Sequence, residues 1–228
     1  MSVLKRKPRT FDVQVHDMTF RITASPDLYE ESRAAALHIS DQLHAYAARN
    51  HEFRTSKHPV QLSEDAPALM RDIADKAALA GVGPMFALDG AVTDYVGRFL
   101  AGQQHDVVVA SGGDFFVLVR KRTKLRVFRG EEGDEDMSIV VDPKHGPLGV
   151  FTTAGRRSFP VERVHGLAVL ASSCALADAV GAYTLGLLAM PGPLRTALDY
   201  LDGVEGVTGA VVVGDGEIGI AGSVEIAA

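Results

Sequence analysis

Cysteine is almost absent from this 228-residue chain. Cys174 stands alone, which excludes an internal disulfide and suits a reducing compartment. No run of about 18 apolar residues free of charge occurs, so the sequence offers no membrane-spanning helix. An excess of positive charge is also missing: the formal net charge is −6, which argues against a general nucleic-acid binder. The opening MSVLKRKPR is charged and has no apolar core behind it, so it does not read as a secretory or lipoprotein leader, and the cytoplasm is the expected location. His38, His44, His51 and His58 lack the i, i+3 or i, i+4 spacing of a helical metal pair and read as surface or capping side chains.

What is present belongs to an ordinary globular chain, 46% apolar and 23% charged. A domain of this length buries roughly 70% of its unfolded surface, so neither disulfide nor structural metal is needed to hold it. The 23 glycines are concentrated after residue 80 and favour tight turns there.

Residues 1–9 read as a basic tail and 10–228 as one folded domain. Residues 10–24 alternate apolar and polar on either side of His16-Asp17, the pattern of a β-hairpin. A helix is expected from Leu28 to about Asn50, with Leu37, Leu43 and Tyr46 on its apolar side. A second is expected from Asp65 to Ala80, with Pro67 in its first turn. A meander follows the central stretch, over Phe115–Arg120, Leu125–Phe128, Met137–Val141 and Leu148–Thr153. The acidic run Glu131–Asp136 between two of these segments reads as a hydrated loop tip. Gly166–Ala171 is one more strand; it feeds Ser172-Ser173, good N-cap residues, and the helix CALADAVGAYTLGLLAM. A short amphipathic helix and two glycine-flanked strands, Ala210–Val213 and Glu217–Ala221, close the chain. Blocks of helix and strand, rather than strict βαβ units, imply an α+β fold with largely antiparallel sheet.

The stretch Gly81–Asp114 organises the rest. A helix from Met85 to Ala101 carries two stripes, apolar (Met85, Leu88, Val92, Tyr95, Val96, Phe99) and small or polar (Gly90, Thr93, Asp94, Gly97). Glycine inside a helix costs roughly 1 kcal/mol against alanine, so two on one side signal the close approach of another backbone or a ligand, or else a dimer interface. Val107–Ala110 reads as a strand buried on both faces, ending in Ser111-Gly112-Gly113-Asp114. That corner is either a two-residue hairpin turn or a cradle of backbone N–H groups for an anion.

Asp178 is the most informative single residue. It sits in a helix built otherwise of Ala, Leu, Gly and Val, so its carboxylate needs a cation, a donor set or a proton. It either caps a neighbouring segment or holds a metal or ligand. Thr152-Thr153-Ala154-Gly155 followed by Arg156-Arg157 suits phosphate, or is a strand end with surface arginines. Cys174, at a helix N-terminus, is either core packing or a thiol of lowered pKa.

Taken together, GVGPM, DGAVTDYVGRFL, VVVASGGD, the Thr152–Gly155 segment and SSCALADAVGA stand in the order seen in the ApbE superfamily, and the chain resembles its small, leaderless branch over about residues 70–225. Characterised members of that superfamily are FAD:protein FMN transferases, which bind FAD and Mg2+ and move the FMN moiety onto a Thr of a partner protein. The resemblance implies an α+β fold of mixed, largely antiparallel sheets packed with helices, and a flavin-sized cleft for FAD or FMN. Gly90, Ala91 and Thr93 fall in the family's Gly-Ala-x-Ala-Lys-Gly block, with Asp94 in place of its Lys. Gly112, Gly113 and Asp114 match its Gly-Gly-Asp turn, and Asp178 matches the metal-binding Asp of Asp-Ala-x-Ala-Thr, whose Thr is Ala182 here. No counterpart of its His-Ile-x-Asp-Pro-x-Thr-Gly segment is recognisable. The expected cleft is thus lined by Gly90–Asp94, Gly112–Asp114, Thr152, Thr153, Gly155 and Asp178, with Asp178 and Asp114 as the catalytic carboxylates and Asp178 as the ligand of Mg2+. Two functions follow, metal-assisted nucleotidyl or FMN transfer of altered chemistry, or a non-catalytic flavin-binding or assembly protein. A small-molecule nucleotide, a partner protein and a second copy of the chain are the expected partners.

Overall fold

The computed structural model describes residues 8–25, 28–128, 137–154, 164–214 and 217–227. The acidic run Glu131–Asp136, Gly155, Arg156, Arg157 and all but the last residues of the basic tail lie outside them.

An eight-stranded sheet runs in the order β1-β2-β3-β4-β7-β8-β9-β10, comprising Arg9–Val15, Met18–Ala24, Val107–Ser111, Asp114–Leu118, Leu148–Thr152, Val164–Ala171, Val207–Gly214 and Glu217–Gly222. Every pairing in it is antiparallel. A smaller sheet has the order β11-β6-β5, from Ile226–Ala227, Met137–Val141 and Thr123–Phe128. Six helices complete the described residues: α1 (Tyr29–Arg49), α2 (His51–Thr55), α3 (Ala68–Ala80), α4 (Leu88–Ala101), α5 (Cys174–Ala189) and α6 (Leu194–Gly203).

Three layers result, because the central strands are apolar on both sides. Along β8, Leu167, Val169 and Ala171 face the helices, while Ala168 and Leu170 face the small sheet. In β7, Phe151 joins the helix-side core and Leu148 and Val150 the other. Side chains alternate across a strand, so a run apolar at every position must be covered twice. In β3, Val107 and Val109 are fully buried but Val108 and Ala110 only partly so. The small sheet covers the middle of the large one more fully than it covers β3, which corrects the expectation of a strand buried on both faces.

The β1–β2 hairpin turns at His16-Asp17 as its alternation predicts, with His16 taking φ 52°. In α1 the buried stripe is Ser32, Ala36, Ile39, Leu43 and Ala47; Leu37, expected on the apolar side, lies off that stripe and is exposed. Pro67 precedes α3 as its N-cap instead of standing within its first turn. The expected helix start at Met85 is a short 3-10 turn, Pro84–Ala87, and α4 begins at Leu88.

Candidate functional site

Two helices frame the site. Helix α4 has no side-chain cap of its own, since Ala87 occupies its N-cap position. The acceptor comes from 88 residues away: the Gly90 N–H donates to Asp178 Oδ2 of α5 at 3.0 Å. The exchange is mutual. The Cys174 N–H, at the first residue of α5, donates to Asp94 Oδ1 of α4 at 3.1 Å, beside the helix's own Ser173 Oγ cap on Leu176 N–H. Gly90 meets Asp178 where Asp94 meets Cys174, so the helices run antiparallel and each carboxylate sits at the positive end of the other helix's dipole.

Glycine makes this approach possible. A Cβ on Gly90 would stand 2.3 Å from Cys174 O and 2.7 Å from Asp178 Cβ, and one on Gly97 would enter the Phe116 ring at 2.1 Å. The stripe that signalled a close approach is therefore filled by the chain's own α5 and β4, not by a ligand or a second copy.

Asp178 is only 5% exposed, and the donor set its burial demands includes the first turn of α4. The capping alternative describes at least one of its oxygens. Asp114, fully buried, opens β4 after a two-residue turn in which Gly112 and Gly113 take φ 59° and 107° and Ser111 pairs with Asp114. Positive φ at both central residues is what a type I′ hairpin turn requires, so the turn itself accounts for both glycines. Thr152 N–H donates to Gly113 O at 2.7 Å, which ties the β7 end to that turn. Phe151 pairs with Asp114 in register, and its ring lies against Gly181 of α5. The hydroxyls are engaged locally: Thr152 Oγ1 donates to Ala154 O, Thr153 Oγ1 accepts from Leu167 N–H, and Thr93 Oγ1 donates to Asp89 O. The structure thus brings together Gly90, Asp94 and Asp178 through the two helices, and Gly112–Asp114 with Thr152 through the sheet, with Phe151 and Gly181 joining the two groups. Gly155 lies outside the described residues.

Cys174 is fully buried, and its Sγ donates to Phe115 O at 3.2 Å. Burial first, then the carboxylates of Asp94 and Asp114, push its thiol well above the ordinary range. That burial first, and then the Asp94 carboxylate at the start of α5, override the lowered pKa that a helix N-terminus could give.

A divalent cation such as Mg2+ wants near-octahedral oxygen coordination. Among the described residues no group of three His, Cys, Asp or Glu side chains is placed to hold an ion. Asp178 Oδ2 is committed to Gly90, and position 182 is an alanine with no hydroxyl. Asp178 is therefore the one carboxylate expected as a metal ligand, and among the described residues no two further such side chains join it.

Sequence reasoning missed a groove of about 360 Å3 along α4. Leu69 and Asp72 of α3 and Asp94, Tyr95, Arg98 and Phe99 of α4 line it, with Ala91 and Ala175 at the helix crossing. Tyr95 and Phe99 belong to the apolar stripe, and Phe99 is 42% exposed. Arg98 Nε–H donates to Asp94 Oδ2 at 2.5 Å and Nη2 to Ser172 O at 3.3 Å. Partial burial draws the Arg98 pKa down, but the bond to Asp94 and the charges of Asp94 and Asp72 prevail and raise it. The signal available in the sequence was the i, i+4 pair Asp94–Arg98 beside two aromatics at the same spacing.

The sequence matches the family described as AbpE bacteria over residues 1–189. A UPF0280 protein of Methanopyrus kandleri is 28% identical over 217 residues, covering 92% of this chain and 88% of the relative. A UPF0280 protein of Methanocella arvoryzae is 26% identical, with 94% and 88% covered. In three dimensions the chain is similar to the flavin transferase ApbE of Vibrio cholerae, at a TM-score of 0.64 and 13% identity over 95% of this chain and 97% of that one. It is also similar to the ApbE protein of Thermotoga maritima, at a TM-score of 0.65 and 11% identity, with 94% and 97% covered. At such identities the likeness is one of fold, and it bears out the α+β, largely antiparallel architecture expected from the order of motifs. The match spans most of the sequence, and the chain belongs to the AbpE bacteria family, with the ApbE fold.

Proposed function

We propose that this protein binds a flavin nucleotide, FAD or FMN, or a related phosphorylated small molecule, in a cleft bounded by Gly90–Asp94, Gly112–Asp114, Thr152–Gly155 and Asp178. The observation that carries this reading is the groove of about 360 Å3 that opens at the crossing of α4 and α5, where the mutual capping of the two helices holds Asp94 in its wall. The likeness in fold to the flavin transferase ApbE of Vibrio cholerae supports flavin as the ligand class. In this reading Gly112 and Gly113 present backbone N–H groups at the turn, and Asp114 and Asp178 orient the ligand's polar groups as acceptors.

A second reading, that the protein binds the nucleotide without transferring any part of it, is favoured by two specific features. Ala182 removes a hydroxyl, and Asp178 Oδ2 is already engaged in capping α4 through the Gly90 N–H. Incubation with FAD and Mg2+, following flavin fluorescence for binding and AMP release for chemistry, tests both. Binding of FAD without AMP release is the expected result. AMP release that Asp178→Ala abolishes would establish transfer chemistry, and failure of both FAD and FMN to bind would overturn the flavin reading.

A further inference from the structure

The groove along α4 is built around a guanidinium that the chain holds in place yet leaves partly unspent. An arginine side chain carries five N–H donors. In Arg98 the Nε–H goes to Asp94 and one Nη2 bond to Ser172 O, while half of the side chain remains exposed at the groove wall. Two anchors fix the plane of the fork, so the donors left over are oriented before any ligand arrives, and little side-chain entropy is lost on using them.

The surrounding chemistry selects the ligand class. Asp94 and Arg98 neutralise one another, and Asp72 adds a further carboxylate on the wall. The groove as a whole is therefore not cationic and is poorly suited to holding a phosphate as a bare ion. Its other walls are Tyr95, Leu69 and the exposed Phe99. Aromatic and aliphatic faces with an oriented donor fork and a nearby acceptor match a flat ring whose edge carries carbonyl or imino acceptors beside N–H donors. Its volume of about 360 Å3 lies within the range of about 300–1,000 Å3 usual for small-molecule pockets.

We propose that this groove recognises the heteroaromatic ring of a nucleotide, with Arg98 as its specificity-determining donor, Asp72 as acceptor, and Tyr95 and Phe99 as the ring's contact surface. The inference rests on the preceding reading only in that the ligand is a nucleotide. Both isoalloxazine and adenine present such an edge, and separate probes distinguish them.

Calorimetric titration of the purified protein with FMN, AMP and ribose 5-phosphate makes the test. FMN or AMP binds and ribose 5-phosphate does not; Arg98→Gln and Phe99→Ala each weaken the bound ring compound at least tenfold. Arg98→Lys, which keeps the charge and loses the fork, also weakens it, and thermal unfolding of each variant verifies that it is folded. FMN bound equally well by wild type, Arg98→Gln and Phe99→Ala would overturn the groove and leave the flavin reading standing. AMP bound in an Arg98-dependent way, with neither FMN nor FAD binding, would support the groove and overturn the flavin reading. Ribose 5-phosphate binding as tightly as the ring compounds, or none of the three binding, would overturn the groove.

Discussion

Asp178 shows what a carboxylate does when hydrocarbon surrounds it. A buried acceptor without a donor costs several kcal/mol, and the first turn of α4 supplies a donor that would itself be orphaned, because Ala87 cannot cap it. The two deficits cancel. Replacing Asp178 by Ala strands the Gly90 N–H in a buried setting and is expected to cost about 1–3 kcal/mol. Asn keeps a carbonyl oxygen at the same reach and is expected to retain most of that stability while losing the charge. Urea denaturation of Asp178→Ala and Asp178→Asn measures both. Equal losses in the two variants would mean that the charge, rather than the acceptor, is what α4 requires. Because Asn preserves the cap, it is also the variant in which a ligand role for the charge is read without a folding defect.

At the scale of elements, α4 and α5 cap one another, and two contacts 80 and 88 residues apart in sequence maintain a single register between them. If Asp94→Ala and Asp178→Ala were independent, their costs, about 0.5–2 kcal/mol for the cap lost with Asp94 and about 1–3 kcal/mol for Asp178, would add. Loss of one contact lets the helices shift and weakens the other, so the double variant is expected to lose less than the sum, with a coupling of at least ~0.5 kcal/mol. Additivity within experimental error would mean that packing at Gly90 and Gly97 sets the register alone. This reciprocity also marks where the sequence stops being legible. Periodicity placed both helices, the hairpins and the antiparallel sheet, because each depends on neighbours a few residues away. The glycine stripe of α4 signalled a close approach, but periodicity cannot name the partner, and α5 rather than a ligand took that place. Tyr95 and Phe99 fall on the apolar stripe by spacing, but the structure buries Val92 and Val96 of that stripe together with Gly90, Thr93 and Gly97 and leaves Phe99 exposed. The order of motifs, by contrast, pointed to the ApbE fold, since block order records topology.

Over the whole molecule, Cys174 lies where the layers meet. Its Sγ reaches β4 through Phe115 O, its N–H reaches α4 through Asp94, and its backbone lies against Gly90 of α4 and Gly149 of β7. Exposing the thiol requires α5 to leave the sheet, which is the separation of the central layers rather than a local opening. A domain stable by about 5–15 kcal/mol then protects it by a factor of at least ~10³ against a thiol reagent such as DTNB, relative to the unfolded chain. The same burial has a pH signature. Its folded pKa lies well above the ordinary value, so the unfolded chain releases the thiol proton first as pH rises. The stability associated with the protonated thiol is full below about pH 8.5 and falls by up to about 1.4 kcal/mol per pH unit above it. Cys174→Ala lacks that proton, so the stability difference between wild type and variant, positive at pH 7 through lost packing, is expected to narrow between pH 8.5 and 10. Rapid DTNB labelling in native buffer, or a difference that stays constant with pH, would show that α5 detaches from the sheet far more readily than its packing implies.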